Sequence, residues 1–157
     1  MVNLMRRPIR MKFTWSLLLV GMLALTLFAQ TDSSQVPAFH PAPPSKGDTL
    51  PPILGKDDRI GPAFSHDYQD HAYELAAKIP NVIYQIPCYC YCDRSVGHKS
   101  LHSCYETAHA AHCAACMKEL YFAYLETQKG KTPAQIRAAI IKGDWEQVDL
   151  SKAAEID

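Results

Sequence analysis

The run Pro87-Cys88-Tyr89-Cys90-Tyr91-Cys92 places three of the chain's six cysteines at alternate positions within five residues. The other three are Cys104 and the Cys113-Ala-Ala-Cys116 pair, so every cysteine lies in one window, which also holds His98, His102, His109 and His112. A disulfide between C-x-C neighbours needs a small, strained ring. Three alternating cysteines therefore cannot all be satisfied locally. Either they pair with Cys104, Cys113 and Cys116, or several thiolates converge on a metal ion.

The compartment bears on that choice. Arg6, Arg7, Arg10 and Lys12 precede the apolar stretch Phe13 to Phe28, and Ala29 offers a small residue before Gln30. Charge, apolar segment and small residue in that order read as a secretory signal over residues 1–29. Leu27 is not an ideal residue two positions before the cleavage point, which leaves an uncleaved N-terminal anchor as the alternative. No cysteine follows the apolar stretch directly, which rules out a lipid-modified cysteine there. The expected location is periplasmic or extracellular, with membrane attachment only through this segment. Disulfides persist in such compartments, so a disulfide-stapled module without metal is the plain alternative.

Four of the 16 Lys/Arg and none of the 16 Asp/Glu fall in the leader, so the rest of the chain carries 12 basic and 16 acidic residues, a formal −4. This speaks against nucleic-acid binding through a broad basic surface and against a polybasic membrane patch. Residues 30–62 hold Pro41, Pro43, Pro44, Pro51, Pro52 and Pro62 with few large apolar side chains. They read as a disordered, Pro-rich tether.

From residue 63 to about 150 the pattern is helical. Ser65 caps a helix to about Ile79, with Tyr68, Ala72, Leu75 and Ile79 as its apolar stripe, and Pro80 ends it. Asn81 to Ile86 fits either an extended segment or one more turn. A second helix contains His109 to Lys129 and stops at Gly130; it starts at a Ser103–Glu106 capping box or nearer His109. His109, His112, Cys113, Cys116 and Leu120 share one side of it, towards the core. A third helix is marked by Thr132, Pro133 and Gln135, buries Ile136, Ala139 and Ile140, and ends near Gly143. Trp145 and Val148 pack back, and residues 151–157 read as a mobile tail. The fold class is all-α: a small three-helix domain with a cysteine-rich irregular loop between its first two helices.

A C-x-C-x-C loop facing a C-x-x-C helix can bring four or more sulfurs around one point. Thiolates select copper(I), zinc or iron–sulfur centres. Six sulfurs exceed the four ligands of one zinc ion, which favours copper over zinc. The expected ligands are Cys88, Cys90, Cys92, Cys113 and Cys116, with Cys104 as a sixth sulfur and His98, at the loop's end after Gly97, as the best-placed nitrogen. His102, His109 and His112 lie close, but a histidine on a polar helix flank is more often solvated or hydrogen bonded. Met117 reads as core. The partners expected are the metal ion and a protein that donates or accepts it.

The stretch from about Ile79 to Ile140, with Pro87-Cys88-Tyr89-Cys90-Tyr91-Cys92, Gly97-His98-Lys99-Ser100, Cys104 and Cys113-x-x-Cys116, resembles the exported bacterial proteins named for a P-C-Y-C-G-C motif. The resemblance implies export and the fold, and carries no assigned activity. Tyr91 stands where the naming motif has Gly. That speaks against a tight backbone turn there but leaves all three sulfurs in place.

Other chemistries fit less well. Haem attachment needs C-x-x-C-H, and Met117 occupies the histidine position. A thioredoxin-like site wants its C-x-x-C at a helix start beside a strand–helix pattern. Here Cys113 reads as several residues inside a helix, and no such pattern is visible; thiol–disulfide exchange is the second alternative. Glu74, Glu106 and Glu119 lie on helices without a partnered acid, where a charge is usually solvated. An enzyme is not the default reading.

Overall fold

Gln69 explains where the first long helix begins. Its side chain reaches back to accept the His66 backbone N–H at 2.8 Å, so α1 runs Asp67–Lys78 with His66, one residue after Ser65, as its N-cap. The structure is a computed structural model that describes residues 35–157. The signal or anchor expected over residues 1–29 lies outside them. Ala72, Tyr73, Leu75 and Ala76 bury one face of α1. Ile79 leaves helical geometry at φ −128°, and Pro80 then opens the short α2, Pro80–Ile83. The ambiguous 81–86 stretch is thus a helical turn followed by a bend.

The cysteine-rich loop contains two short helices, α3 (Cys92–Ser95) and α4 (Leu101–Tyr105). A hydrogen bond from Leu101 N–H to the Ile86 carbonyl, at 2.8 Å, closes its neck. A 3-10 turn, Ala110–His112, leads into α5, Ala114–Gln128, and α6 spans Pro133–Ile141. Helix α5 is the central element. Cys116, Met117, Leu120, Tyr121, Ala123 and Tyr124 are buried along it, and it packs mainly against α1. Among the described residues the regular elements are all helical and there is no strand. The three longest helices, α1, α5 and α6, are those legible in the periodicity.

Helix α5 starts later than expected. Cys113 is extended (φ −128°, ψ 108°) and serves as the N-cap, so His109 to His112 lie outside the helix. Contacts from α1 fix this break. The Gln69 side-chain amide donates to the Ala111 carbonyl at 2.9 Å, and the Tyr73 hydroxyl accepts the Ala111 N–H at 3.2 Å. Both hold the 3-10 turn as a separate unit. The C-x-x-C pair therefore begins a helix instead of lying within one.

Helix α6 has its Thr132–Gln135 capping box, with Pro133 in the first turn. Beyond it, Asp144–Gln147 and Leu150–Glu155 form 3-10 helices, and the second packs on α1 with Ala153 fully buried. The final residues are therefore placed against the domain: His71 Nε2 donates to the Ile156 carbonyl at 2.6 Å. Residues 35–62, read as a tether, form an irregular strap that touches the helical part. Ala38 N–H donates to Asp93 Oδ2 at 3.0 Å, the His40 ring stacks on Tyr84 at 3.8 Å, and Leu54 N–H donates to the Tyr105 carbonyl at 2.9 Å. Among the described residues, no helix is long and apolar enough to cross a membrane.

Candidate metal centre

The Cys88–Cys92 segment is a turn and not an extended strand. Tyr91 N–H donates to the Cys88 carbonyl at 3.1 Å, and Tyr91 itself adopts the left-handed conformation at φ 55°, ψ 29°. The tight turn that a tyrosine argued against is present. Side-chain contacts hold the ring: the Arg94 guanidinium lies 4.3 Å from its centroid, and Tyr89 meets it edge-on at 5.8 Å. Tyr89 also stacks on Trp145 at 6.4 Å. Both tyrosines pack over the loop. Gly97, at φ 77°, turns the chain back after α3 and returns His98 towards the sulfurs.

All six cysteines are free thiols. Cys88, Cys90 and Cys116 form a nearly equilateral triangle of sulfurs, with edges of 3.3, 3.3 and 3.6 Å. Cys92 and Cys104 lie 3.3 Å apart, and His98 Nδ1 is 3.2 Å from the Cys104 sulfur. Three overlapping four-residue groups each have donor atoms within 4.8 Å of one another: Cys88, Cys90, Cys92 and Cys104; Cys90, Cys104, His109 and Cys116; and Cys92, His98, Cys104 and His109. Cys104 belongs to all three. Cys113 joins none of them; half-buried at the start of α5, it stands beside Cys90 and Cys116.

These distances fit a metal ion. A disulfide needs sulfurs at about 2.05 Å. Tetrahedral zinc with bonds of about 2.3 Å sets sulfurs about 3.8 Å apart. Edges of 3.3–3.6 Å lie near the second value, so small outward shifts would open a coordination site. Donor chemistry agrees, since thiolate and imidazole together suit soft and borderline ions. Cys90 is the sulfur most disposed to be a thiolate: hydrogen bonds from the Cys104, Cys113, Cys116 and Cys88 thiols hold it far below the ordinary thiol range. His98 is pushed down by burial and by neighbouring His109, which favours the neutral imidazole that ligates metals.

The remaining histidines separate clearly. His102 is 1 % exposed, its Nδ1 is 3.0 Å from Glu106 Oε1, and it joins none of the three donor groups. His112 is exposed. His109 does join the cluster, its ring 4.8 Å from that of His98. Met117 is in the core.

Glu119 departs from the expectation of a solvated charge. It is fully buried; its Oε1 accepts the Tyr89 N–H at 2.7 Å, while Oε2 has no hydrogen-bond partner. Burial pushes its carboxyl up to about 8. A signal for it was available. Cys116, Glu119, Leu120 and Ala123 follow the i, i+3, i+4, i+7 spacing of a buried stripe, so Glu119 falls on the core side of α5. Its acceptor pins the cysteine loop to that helix.

No curated protein matches the chain, and neither does any solved structure. One family does: residues 45–147 match the family described as "protein of unknown function with PCYCGC motif". That span starts within the Pro-rich strap, takes in the whole cysteine–histidine cluster and covers more than half of the chain. The chain therefore belongs to the PCYCGC-motif family, with tyrosine in place of the motif's glycine.

Proposed function

We propose that this is an extracytoplasmic soft-metal-binding protein, with copper(I) favoured over zinc(II), that exchanges its ion with a donor or acceptor protein. The observation that carries the reading is the convergence of five sulfurs and two imidazoles around Cys104, from a loop, two short helices and the start of α5. Cys88, Cys90, Cys92, Cys104 and Cys116 are the thiolate ligands, His98 and His109 the nitrogen donors, and Cys113 an outer sulfur. Softness of the donor set supports copper(I). Export rests on the order of charge, apolar stretch and small residue in the leader. When bound, the ion would tie the loop to α5; Glu119 holds the loop in place for it through Tyr89.

Thiol–disulfide exchange is the second reading, because Cys113 caps α5 and Cys116 lies in its first turn. An exchange nucleophile needs a depressed thiol. Hydrogen bonding to Cys116 acts in that direction on Cys113, but Cys90 and burial outweigh it and the net direction is upward. That speaks against Cys113 as the exchange nucleophile. The test is the intact mass, thiol count and metal content of protein purified from its export compartment under mild, metal-retaining conditions. Six free thiols with bound copper or zinc are expected. Loss of six hydrogens with no metal would mean three disulfides and would overturn the proposal.

A further inference from the structure

Resting on that reading, we infer that the centre takes two ions at chemically different subsites: a three-thiolate subsite of Cys88, Cys90 and Cys116 for copper(I), and a Cys92, Cys104, His98 and His109 subsite for zinc(II). The number of donors argues for it. Five sulfurs and two imidazoles exceed the four ligands of one tetrahedral ion. The shortest contacts then divide them, with Cys104 at the boundary, within 4.8 Å of Cys88, Cys90 and Cys116 as well. Within the first set every sulfur pair is at 3.3–3.6 Å. Within the second, Cys92–Cys104 and His98–Cys104 are at 3.3 and 3.2 Å.

Chain topology makes the same division. Cys88 and Cys90 face α5 from before the left-handed turn at Tyr91, whereas Cys92, His98 and Cys104 all come after it. His109 reaches the second set from the residue preceding the 3-10 turn, its ring edge-on to that of His98. Three thiolates without nitrogen suit a monovalent soft ion, and two thiolates with two imidazoles form a common zinc set. Cys90 and Cys104 lie in one 4.8 Å group, so the subsites adjoin. Loading changes no oxidation state. Each ligating thiol releases its proton to solvent as its sulfur binds the ion.

The experiment uses the full-length chain, fully reduced and kept from oxygen, loaded with copper(I) and with cobalt(II) as the visible stand-in for zinc. About one equivalent of each should bind together, with the cobalt showing the absorption of a tetrahedral thiolate–imidazole site. His98→Ala and His109→Ala, both at half-buried positions, should weaken cobalt binding by more than about tenfold and copper binding by a much smaller factor. Cys88→Ser should do the reverse. Cys88 is buried, so Cys90→Ser, at a half-buried position, serves as a second variant, with helicity measured for each. Two outcomes would overturn the two-subsite assignment and leave the metal-binding reading standing. One is copper displacing cobalt one for one. The other is all variants weakening both ions alike. Reduced, folded protein that binds neither ion would overturn both.

Discussion

A tyrosine held at φ 55° carries a backbone cost of about 1–2 kcal/mol that glycine would not. The Arg94 and Tyr89 contacts offset part of it, which is how this chain holds a left-handed turn without a glycine there. Tyr91→Gly loses the ring contacts and gains the conformational relief; Tyr91→Ala loses the contacts and keeps the strain. The glycine variant should therefore be the more stable of the two by about 1 kcal/mol in denaturant unfolding. An alanine variant as stable as the glycine one would show that the left-handed turn is not the native conformation. Sequence reasoning about this position was sound on intrinsic preference. It failed because the compensation comes from Arg94, three residues on in the chain, and no propensity includes that contact.

Helix α5 shows how an element can be legible in kind and not in extent. Its apolar stripe and Gly130 stop could be read directly, but its first residue is decided by Gln69 and Tyr73 on α1, which hold Ala111 in a separate turn. Such contacts cross more than 35 residues of chain and leave no local pattern. The same long-range placement draws His109 into the cluster and leaves Cys113 outside its four-residue groups. Glu119 offers the sharpest test at this scale. Glu119→Ala would leave the part-buried Tyr89 N–H without its acceptor and should destabilise the reduced protein by about 1–3 kcal/mol. Glu119→Gln keeps an acceptor oxygen for that N–H and should stay within about 1 kcal/mol of the parent. Equal losses in thermal melts of the two variants would show that the loop is not pinned through Tyr89. On α6, Thr132→Ala removes the acceptor for Gln135 N–H and should cost about 1 kcal/mol. An unchanged denaturation midpoint would argue that the box is not formed.

For the whole molecule, binding to the native state alone raises stability by about 2.7 kcal/mol when free ligand is at 100 times its Kd. Reduced, metal-loaded protein should accordingly melt higher than the same sample after chelation, and a variant lacking both Cys90 and Cys104 should not respond to the chelator. Melts that coincide for the loaded and stripped parent would count against a bound ion. The all-α class and the three long helices were readable because amphipathic periodicity and capping boxes are local signals. That the cysteines gather was readable from their spacing, and which donors meet was not, since sulfur–sulfur distances depend on how the loop is folded over α5. That loop is closed at its neck by the Ile86–Leu101 backbone bond, and Cys88 and Cys92 are packed into the core by contacts of the chain itself. Metal capture by such a vessel orders little chain, so a calorimeter should record a small heat-capacity change on binding, unlike that of peptides which fold only around their zinc.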